Sequence, residues 1–196
     1  MSIHDSDVID KSETSDASLV EDSPPRPEFF TRHFKMEDAD DLLQLLRSIA
    51  AKPGGFVRME EEISADFVDE TLKRSLNGGA SFGAIERGSG RLLGVITSRK
   101  LALKAFEHVL SSVMIGVHPE FQSRGIGRRL FVDFLEYVTL QRDDIKRIEL
   151  IARDSNQRQI SFYESMGFRR EGVFEKRFRR SDGSFEADIP MGWSKD

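Results

Sequence analysis

The sequence of 196 residues contains no cysteine. Disulfides, thiolate metal sites and any mechanism in which a protein thiol carries a reacting group are therefore excluded. No apolar run approaches the roughly twenty residues that span a bilayer, and the polar N-terminus lacks the apolar stretch of a secretory signal. A chain of this length suits one domain with a real core. We expect a cytoplasmic protein with no membrane partner.

An excess of one charge is also missing once the N-terminus is set apart. The formal net charge is −5, and residues 1–27 supply all of it, with seven acidic against two basic side chains. The other residues hold 27 of each sign and have no net field to attract nucleic acid. Residues 1–27 also lack aromatics, so they bury too little to offset their ordering entropy. We predict a disordered acidic tail over 1–27, one domain over 28–196 and no nucleic-acid partner.

Beyond the tail, the apolar spacing switches repeatedly between the helix period and the strand period. The order predicted is a strand, two helices, a hairpin, a strand, a helix, a strand, a short helix and a closing hairpin. Residues 113–117 are apolar on both faces, which indicates a central strand. No set of His, Asp and Glu has the spacing of a metal site, so none is predicted.

The stretch HPEFQSRGIGRRLF, residues 118–131, joins the central strand to an amphipathic helix. A helix start leaves backbone N–H groups unpaired and carries partial positive charge, which suits a phosphate. Gly125 and Gly127 allow close approach, and the neighbouring Arg124, Arg128 and Arg129 can add charge-assisted contacts. The dinucleotide and nucleoside-triphosphate loop patterns both fail here. The residues alone leave two interpretations open, an anion cradle and a tight turn with solvated arginines.

This stretch resembles the cofactor loop of the GNAT superfamily of N-acetyltransferases, Gln/Arg-x-x-Gly-x-Gly/Ala. Gln122, Gly125 and Gly127 match that pattern. The resemblance implies that the loop binds the pyrophosphate of acetyl-CoA, and that the edge of the preceding strand binds its pantetheine arm. The cofactor-binding residues implied in this way, together with Asn156 of the second motif, are Ile115, Gly116, Val117, Gln122, Ser123, Arg124, Gly125, Ile126, Gly127, Arg128 and Asn156.

A second segment is similar to another motif of the same family, Asn-x-x-Ala-x-x-x-Tyr-x-x-x-Gly-Phe. Asn156, Tyr163, Gly167 and Phe168 match it in order and spacing, with Gln159 in place of the usual alanine. The resemblance implies an α/β fold with a mixed, mostly antiparallel central sheet, flanking helices and a parallel strand pair splayed around the cofactor. The resemblance is compatible with a homodimer.

The absence of cysteine favours direct attack of an amine on the thioester of acetyl-CoA. The family assigns the role of acid to the tyrosine of the second motif, here Tyr163, and the alternative is a packed aromatic. Glu149, on the strand parallel to the cofactor strand, is the candidate base, and the alternative is a solvated or ion-paired glutamate. In relatives the loop around the acidic run Glu60, Glu61 and Glu62 borders the acceptor site, which would favour a cationic amine.

The expected function is therefore acetyl transfer from acetyl-CoA to a primary amine of a small molecule or a protein. A second interpretation is a catalytically inactive CoA-binding module with a regulatory or interaction role. A third is a phosphate-binding or nucleotide-binding protein of another family. The sequence does not identify the acceptor amine.

Overall fold

The computed structural model describes residues 28–52, 56–180 and 182–195. The acidic tail predicted for residues 1–27 lies outside these ranges. The elements predicted beyond residue 27 are all present, in the predicted order. The helices are α1 (Ala39–Ala50), α2 (Ala65–Leu76), α3 (Ile126–Gln141) and α4 (Gln157–Ser165). The strands are β1 (Phe29–His33), β2 (Ala80–Glu86), β3 (Leu92–Lys100), β4 (Val109–Val117), β5 (Arg147–Arg153), β6 (Arg169–Arg170), β7 (Phe174–Arg179) and β8 (Phe185–Ser194).

The strands form one mixed sheet in the order β1-β2-β3-β4-β5-β8-β6, and β7 also pairs with β8. Every pairing is antiparallel except that of β4 with β5. The connection from β4 to β5 runs through α3, and a helical crossover of this kind is what a parallel pair requires. The mostly antiparallel sheet with one parallel pair is therefore as predicted.

Helices cover both faces of the sheet, and two apolar clusters result. One cluster joins α1 and α2 to β2 and β3, and the other joins α3 and α4 to strands β2 to β5 and β8. Val113 and Ile115 pack against the second cluster, whereas Met114 packs against the first. A Cβ at Gly116 would lie 2.7 Å from Cδ1 of Ile49, so α1 approaches the strand closely there. The prediction that β4 is central, with two apolar faces, is confirmed.

Candidate active site

The parallel strands β4 and β5 are paired only at their starts. Two residue pairs link them, the last being Leu110 with Ile148. β4 continues to pair with β3 as far as Val117, so from Ser112 onward its other edge has no strand partner within the described ranges. The free edge can bind an extended ligand as an added strand would be bound. At its far end, Nε2 of Gln122 donates a hydrogen bond to the Val117 carbonyl at 3.2 Å.

A bulge lies where β4 leaves β5. Ser112 has a φ of 54°, and the register with β3 shifts between Thr97 and Arg99. A positive φ is uncommon for serine, and bulges of this kind end pairing and redirect side chains. Nε of Arg99 donates to Oγ of Ser112 at 3.0 Å, which ties the bulge to β3.

The turn that follows β4 exposes backbone donors at the start of α3. Ser123 and Gly125 both have a positive φ, of 62° and 84°. The first intrahelical bond at this end runs from N–H of Arg129 to the Gly125 carbonyl, at 3.0 Å. The amides from Ile126 to Arg128 precede that bond, and within the described ranges no side chain caps them. Three adjacent N–H groups are therefore available to an anion.

The two positions of the turn are occupied by glycine for different physical reasons. Gly125 serves the backbone, because its φ of 84° would strain any side chain. Gly127 is helical, and a Cβ there would lie 3.5 Å from Val117 and 3.9 Å from Ile115, which is ordinary contact. Glycine within a helix costs about 1 kcal/mol relative to alanine. The fold does not require Gly127, so its small size fits the close approach of a phosphate group.

The arginines around the turn differ in their partners. Arg129 is paired with Asp133, with 2.9 Å between Nε and Oδ1. Arg124 lies over the ring of Phe121, its guanidinium carbon 5.3 Å from the ring centroid. Within the described ranges, neither Arg124 nor Arg128 has a carboxylate at ion-pair distance. Of the arginines near the turn, these two are the ones with charge available for a ligand.

The tyrosine of the second motif is buried, with 3% of its surface exposed. The Tyr163 ring packs against Phe131 and Phe168, and its hydroxyl accepts a hydrogen bond from Nε2 of Gln159 at 2.8 Å. Burial raises the pKa of Tyr163 to about 12, while the bond from Gln159 acts in the opposite direction. Asn156 caps α4 and donates to Oε1 of Gln159 at 3.0 Å. A connected chain of amides therefore orients the hydroxyl.

A cavity of about 1000 Å³ opens between the free part of β4, the end of β5, α4 and α2. Ile115, Asn156 and Tyr163 all line it, so the structure brings together three of the predicted residues from a strand, a turn and a helix. The turn residues 122–128 lie outside its lining, past the Ile115 end of the free strand. The free edge of β4 therefore runs from the glycine turn into the cavity that holds Tyr163.

The predicted base does not line that cavity. Glu149 accepts a hydrogen bond from Nε of Arg147 at 2.7 Å, and Arg147 is also paired with Glu171. Glu149 lines a smaller cavity of about 420 Å³. The two cavities adjoin, since Ser112 and Ile151 contribute to both. Glu149 and Tyr163 thus lie on neighbouring cavities and not on one.

The cavity wall also contains arginines that no local sequence pattern indicated. Arg58, Arg99 and Arg153 line it, and Gln159 contributes the bond to Tyr163. The arginines come from a loop and two strands that are far apart in the sequence, so no local pattern could have grouped them. Gln159 did carry a signal, since it replaces the alanine of the motif.

Similarity to known proteins assigns the chain to a family. Residues 40–168, which are more than half of the chain, match the family described as "Acetyltransferase (GNAT) family". The chain belongs to the GNAT acetyltransferase family. Within the described residues, no helix is long and apolar enough to cross a membrane.

A similar curated protein is the N-alpha-acetyltransferase RimI of Mycobacterium tuberculosis, 33% identical over 96 residues, which cover 48% of this chain and 56% of RimI. The chain spans between about a fifth and about half of the length of the curated relatives it matches.

The fold is shared with solved structures at low identity. An acetyltransferase of the GNAT family from Streptococcus pneumoniae superposes with a TM-score of 0.70 at 19% identity, covering 86% of this chain and 100% of that one. The structure of yncA, a putative acetyltransferase from Salmonella typhimurium with its cofactor acetyl-CoA, gives a TM-score of 0.72 at 16% identity, covering 86% and 94%. These likenesses concern the fold.

Proposed function

We propose that this chain transfers an acetyl group from acetyl-CoA to a primary amine, by direct attack of the amine on the thioester. The observation that carries the proposal is the unpaired edge of β4, which leads from the glycine turn at Gly125 and Gly127 to the cavity containing Tyr163. The proposed site of action is the cytoplasm, and the proposed partners are acetyl-CoA and the amine.

The residues of the turn and of β4 fit the donor. The amides from Ile126 to Arg128 and the charges of Arg124 and Arg128 suit a pyrophosphate. The main-chain groups from Ile115 to Val117 suit the amide groups of a pantetheine arm. When bound, acetyl-CoA supplies the thioester that is attacked. The role of the protein is then to hold it beside the acceptor and to stabilise the charge that develops.

Tyr163 stabilises the leaving group in this proposal. As the C–N bond forms and the C–S bond breaks, negative charge develops on sulfur, and the Tyr163 hydroxyl donates a hydrogen bond to it. The pKa of a cysteine thiol is about 8.5, and that of Tyr163 is about 12, so complete transfer of the tyrosine proton would be uphill. The amine loses one proton overall and the thiol gains one. Gln159 assists by donating to the tyrosine oxygen.

Glu149 stays the proposed base, acting through water across the boundary between the two cavities near Ser112 and Ile151. Glu149→Gln keeps the side-chain length and removes the carboxylate. We expect kcat to fall by about a hundredfold, as is typical for loss of a general base. Glu62→Gln is the matched comparison, because Glu62 is the acidic residue that lines the larger cavity. If only the Glu62 variant loses activity, the assignment of Glu149 is wrong.

A thiol-release assay tests the proposed function directly. Polyamines, amino acids, aminoglycosides and protein N-termini would be offered with acetyl-CoA, and calorimetry would compare CoA with ATP and NAD. Release of CoA that depends on one of these amines is the expected result. CoA binding without release from any of them would favour an inactive CoA-binding module. Binding of ATP or NAD without CoA binding would contradict both interpretations.

A further inference from the structure

The wall of the larger cavity is strongly cationic. Its ionisable lining consists of four arginines, one tyrosine and one glutamate, although residues 28–196 as a whole carry equal numbers of acidic and basic side chains. The arginines come from separate parts of the chain, namely Arg58, Arg74, Arg99 and Arg153. A cleft lined by one sign of charge focuses its field and concentrates ligands of the opposite charge.

Among the described residues, three of these arginines have no carboxylate partner. Arg74 forms an ion pair with Glu70, whereas within the described ranges Arg58, Arg99 and Arg153 have no carboxylate at ion-pair distance. An arginine offers five N–H donors in a planar fork, a geometry that matches a carboxylate or a phosphate. The unpaired charges are therefore available to a ligand in the cavity.

Neutral groups hold these three side chains in place. Arg99 donates from Nε to Oγ of Ser112, at 3.0 Å, which leaves its terminal N–H groups for another partner. The guanidinium carbon of Arg58 lies 4.2 Å from the ring centroid of Phe67. Guanidinium groups held in this way lose little freedom on binding an anion.

Arg153 is also held by neutral groups. It donates to the Phe56 carbonyl at 3.2 Å, and its guanidinium carbon lies 3.9 Å from the ring centroid of Phe178. Its charge also acts on Asp188, where it opposes the rise in the pKa of that carboxyl that burial causes. The two groups are not at ion-pair distance.

The acidic run that would favour a cationic amine contributes little to this wall. Of its three residues only Glu62 lines the cavity, and its Oε2 accepts a hydrogen bond from N–H of Met59 at 2.8 Å. A polyamine in this cavity would meet four guanidinium groups and one carboxylate that is already engaged. Like charges brought together in a cleft are unfavourable, so the cavity selects against polycations.

The phosphates of the donor do not account for these arginines. The turn proposed to bind the pyrophosphate, residues 122–128, lies outside the cavity lining. Arg99 is instead tied to the bulge at Ser112, at the end of the free strand that is remote from the turn. The volume of about 1000 Å³ leaves room for a small acceptor beside the thioester end of the donor.

We propose that the acceptor is a small amine that also carries a carboxylate, of the amino-acid type, and that Arg99 binds this carboxylate with support from Arg58 and Arg153. The inference rests on the proposed acetyl transfer and specifies its substrate class. The amine is the group acetylated, and the acidic group fixes its orientation.

The test compares amino acids with their carboxamides in the thiol-release assay. Each pair shares one side chain and one amine and differs in the carboxylate. We expect kcat/KM to be at least tenfold higher for the amino acids than for the carboxamides or for spermidine. Equal or better turnover of the carboxamides or of spermidine would overturn the inference while leaving acetyl transfer intact.

Substitution of Arg99 locates the effect. Arg99→Gln should raise KM for the amino acid about tenfold and leave KM for acetyl-CoA and turnover of the carboxamide unchanged. Arg74→Gln is the matched control, since its charge is already paired with Glu70. A rise in KM for acetyl-CoA, with both acceptors affected equally, would assign Arg99 to the donor and overturn the inference.

Failure of the proposed acetyl transfer can be distinguished from failure of the inferred carboxylate preference. If no acceptor is turned over, calorimetric titration of amino acids and carboxamides into the CoA-bound protein still measures the preference of the cavity. Preferential binding of the carboxylate form, lost in Arg99→Gln, would support the inference without catalysis. Absence of any preference would overturn it.

Discussion

The two halves of the candidate site are built in different ways. The donor half, the part proposed to bind acetyl-CoA, consists of the free part of β4, the turn to α3 and the start of α4, and it offers mainly backbone groups and small residues. The acceptor half, the part proposed to bind the amine, consists of residues 56–62, α2 and the ends of β3 and β5, and it offers side chains from distant segments. A ligand bound by the backbone leaves a local sequence pattern. A ligand bound by scattered side chains leaves none.

The largest expected effect tests the connection between the halves. Tyr163→Phe removes one hydroxyl and keeps the ring that packs against Phe131. We expect kcat to fall about a hundredfold, roughly 3 kcal/mol of barrier, with little change in CoA affinity or in KM for the acceptor. Steady-state kinetics and calorimetry measure the two quantities. Tyr137→Phe, at the only other tyrosine, is the control, because that ring contacts His33 and Phe82 and does not line the cavity.

The pH profile adds a second test of the same residue. Because its pKa is raised to about 12, Tyr163 stays protonated to well above pH 10 and should not limit activity below that pH. The unfolded chain loses this proton near pH 10, so the contribution to stability declines as pH rises from 10 to 12. A fall in wild-type activity centred near pH 9 that vanishes in Tyr163→Phe would contradict a Tyr163 pKa of about 12. Parental turnover in Tyr163→Phe would overturn the assignment itself.

Much of the fold and of the donor half was predictable, because the signals are local. Ser64, a residue type typical of helix N-caps, directly precedes α2, and its oxygen accepts from N–H of Phe67 at 3.1 Å. Two motifs predicted which turn and which helix meet at the splayed strands. The ion pair of Glu149 with Arg147 was also predictable, since residues two apart on a strand share a face. The presence of Arg58, Arg99 and Arg153 in one cavity wall was not predictable, because it depends on long-range packing.

A smaller effect is expected at the glycine turn. Gly127→Val places two methyl groups where the phosphate is proposed to approach, so CoA affinity should fall at least tenfold by calorimetry. A Cβ there makes only ordinary contact, with the nearest atom of Val117 at 3.5 Å. The melting temperature should therefore change by only a few degrees. Gly127→Ala is the control, since the family pattern permits alanine. Unchanged CoA affinity in folded Gly127→Val would refute the proposal that this turn binds the pyrophosphate.

The smallest effect is expected at Gln159, which lies where the two halves meet. Gln159→Ala restores the usual residue of the motif and removes the hydrogen bond to the Tyr163 hydroxyl, 2.8 Å long. Without that donor, negative charge on the tyrosine oxygen is less stabilised, so kcat should fall several-fold while KM for the acceptor stays constant. Gln157→Ala, two residues earlier on α4, is the control because its amide donates to the Asp154 carbonyl instead.

A double-mutant cycle separates this positioning role from a structural one. If Gln159 acts through the Tyr163 hydroxyl, adding Gln159→Ala to Tyr163→Phe should lower kcat no further, because the group it orients is already gone. Two independent, additive losses would show that Gln159 affects the reaction by another route. A rise in kcat in the single variant would show that the amide restrains the hydroxyl away from sulfur. In that case this chain, with glutamine in place of alanine, would be the slower form of the same catalyst.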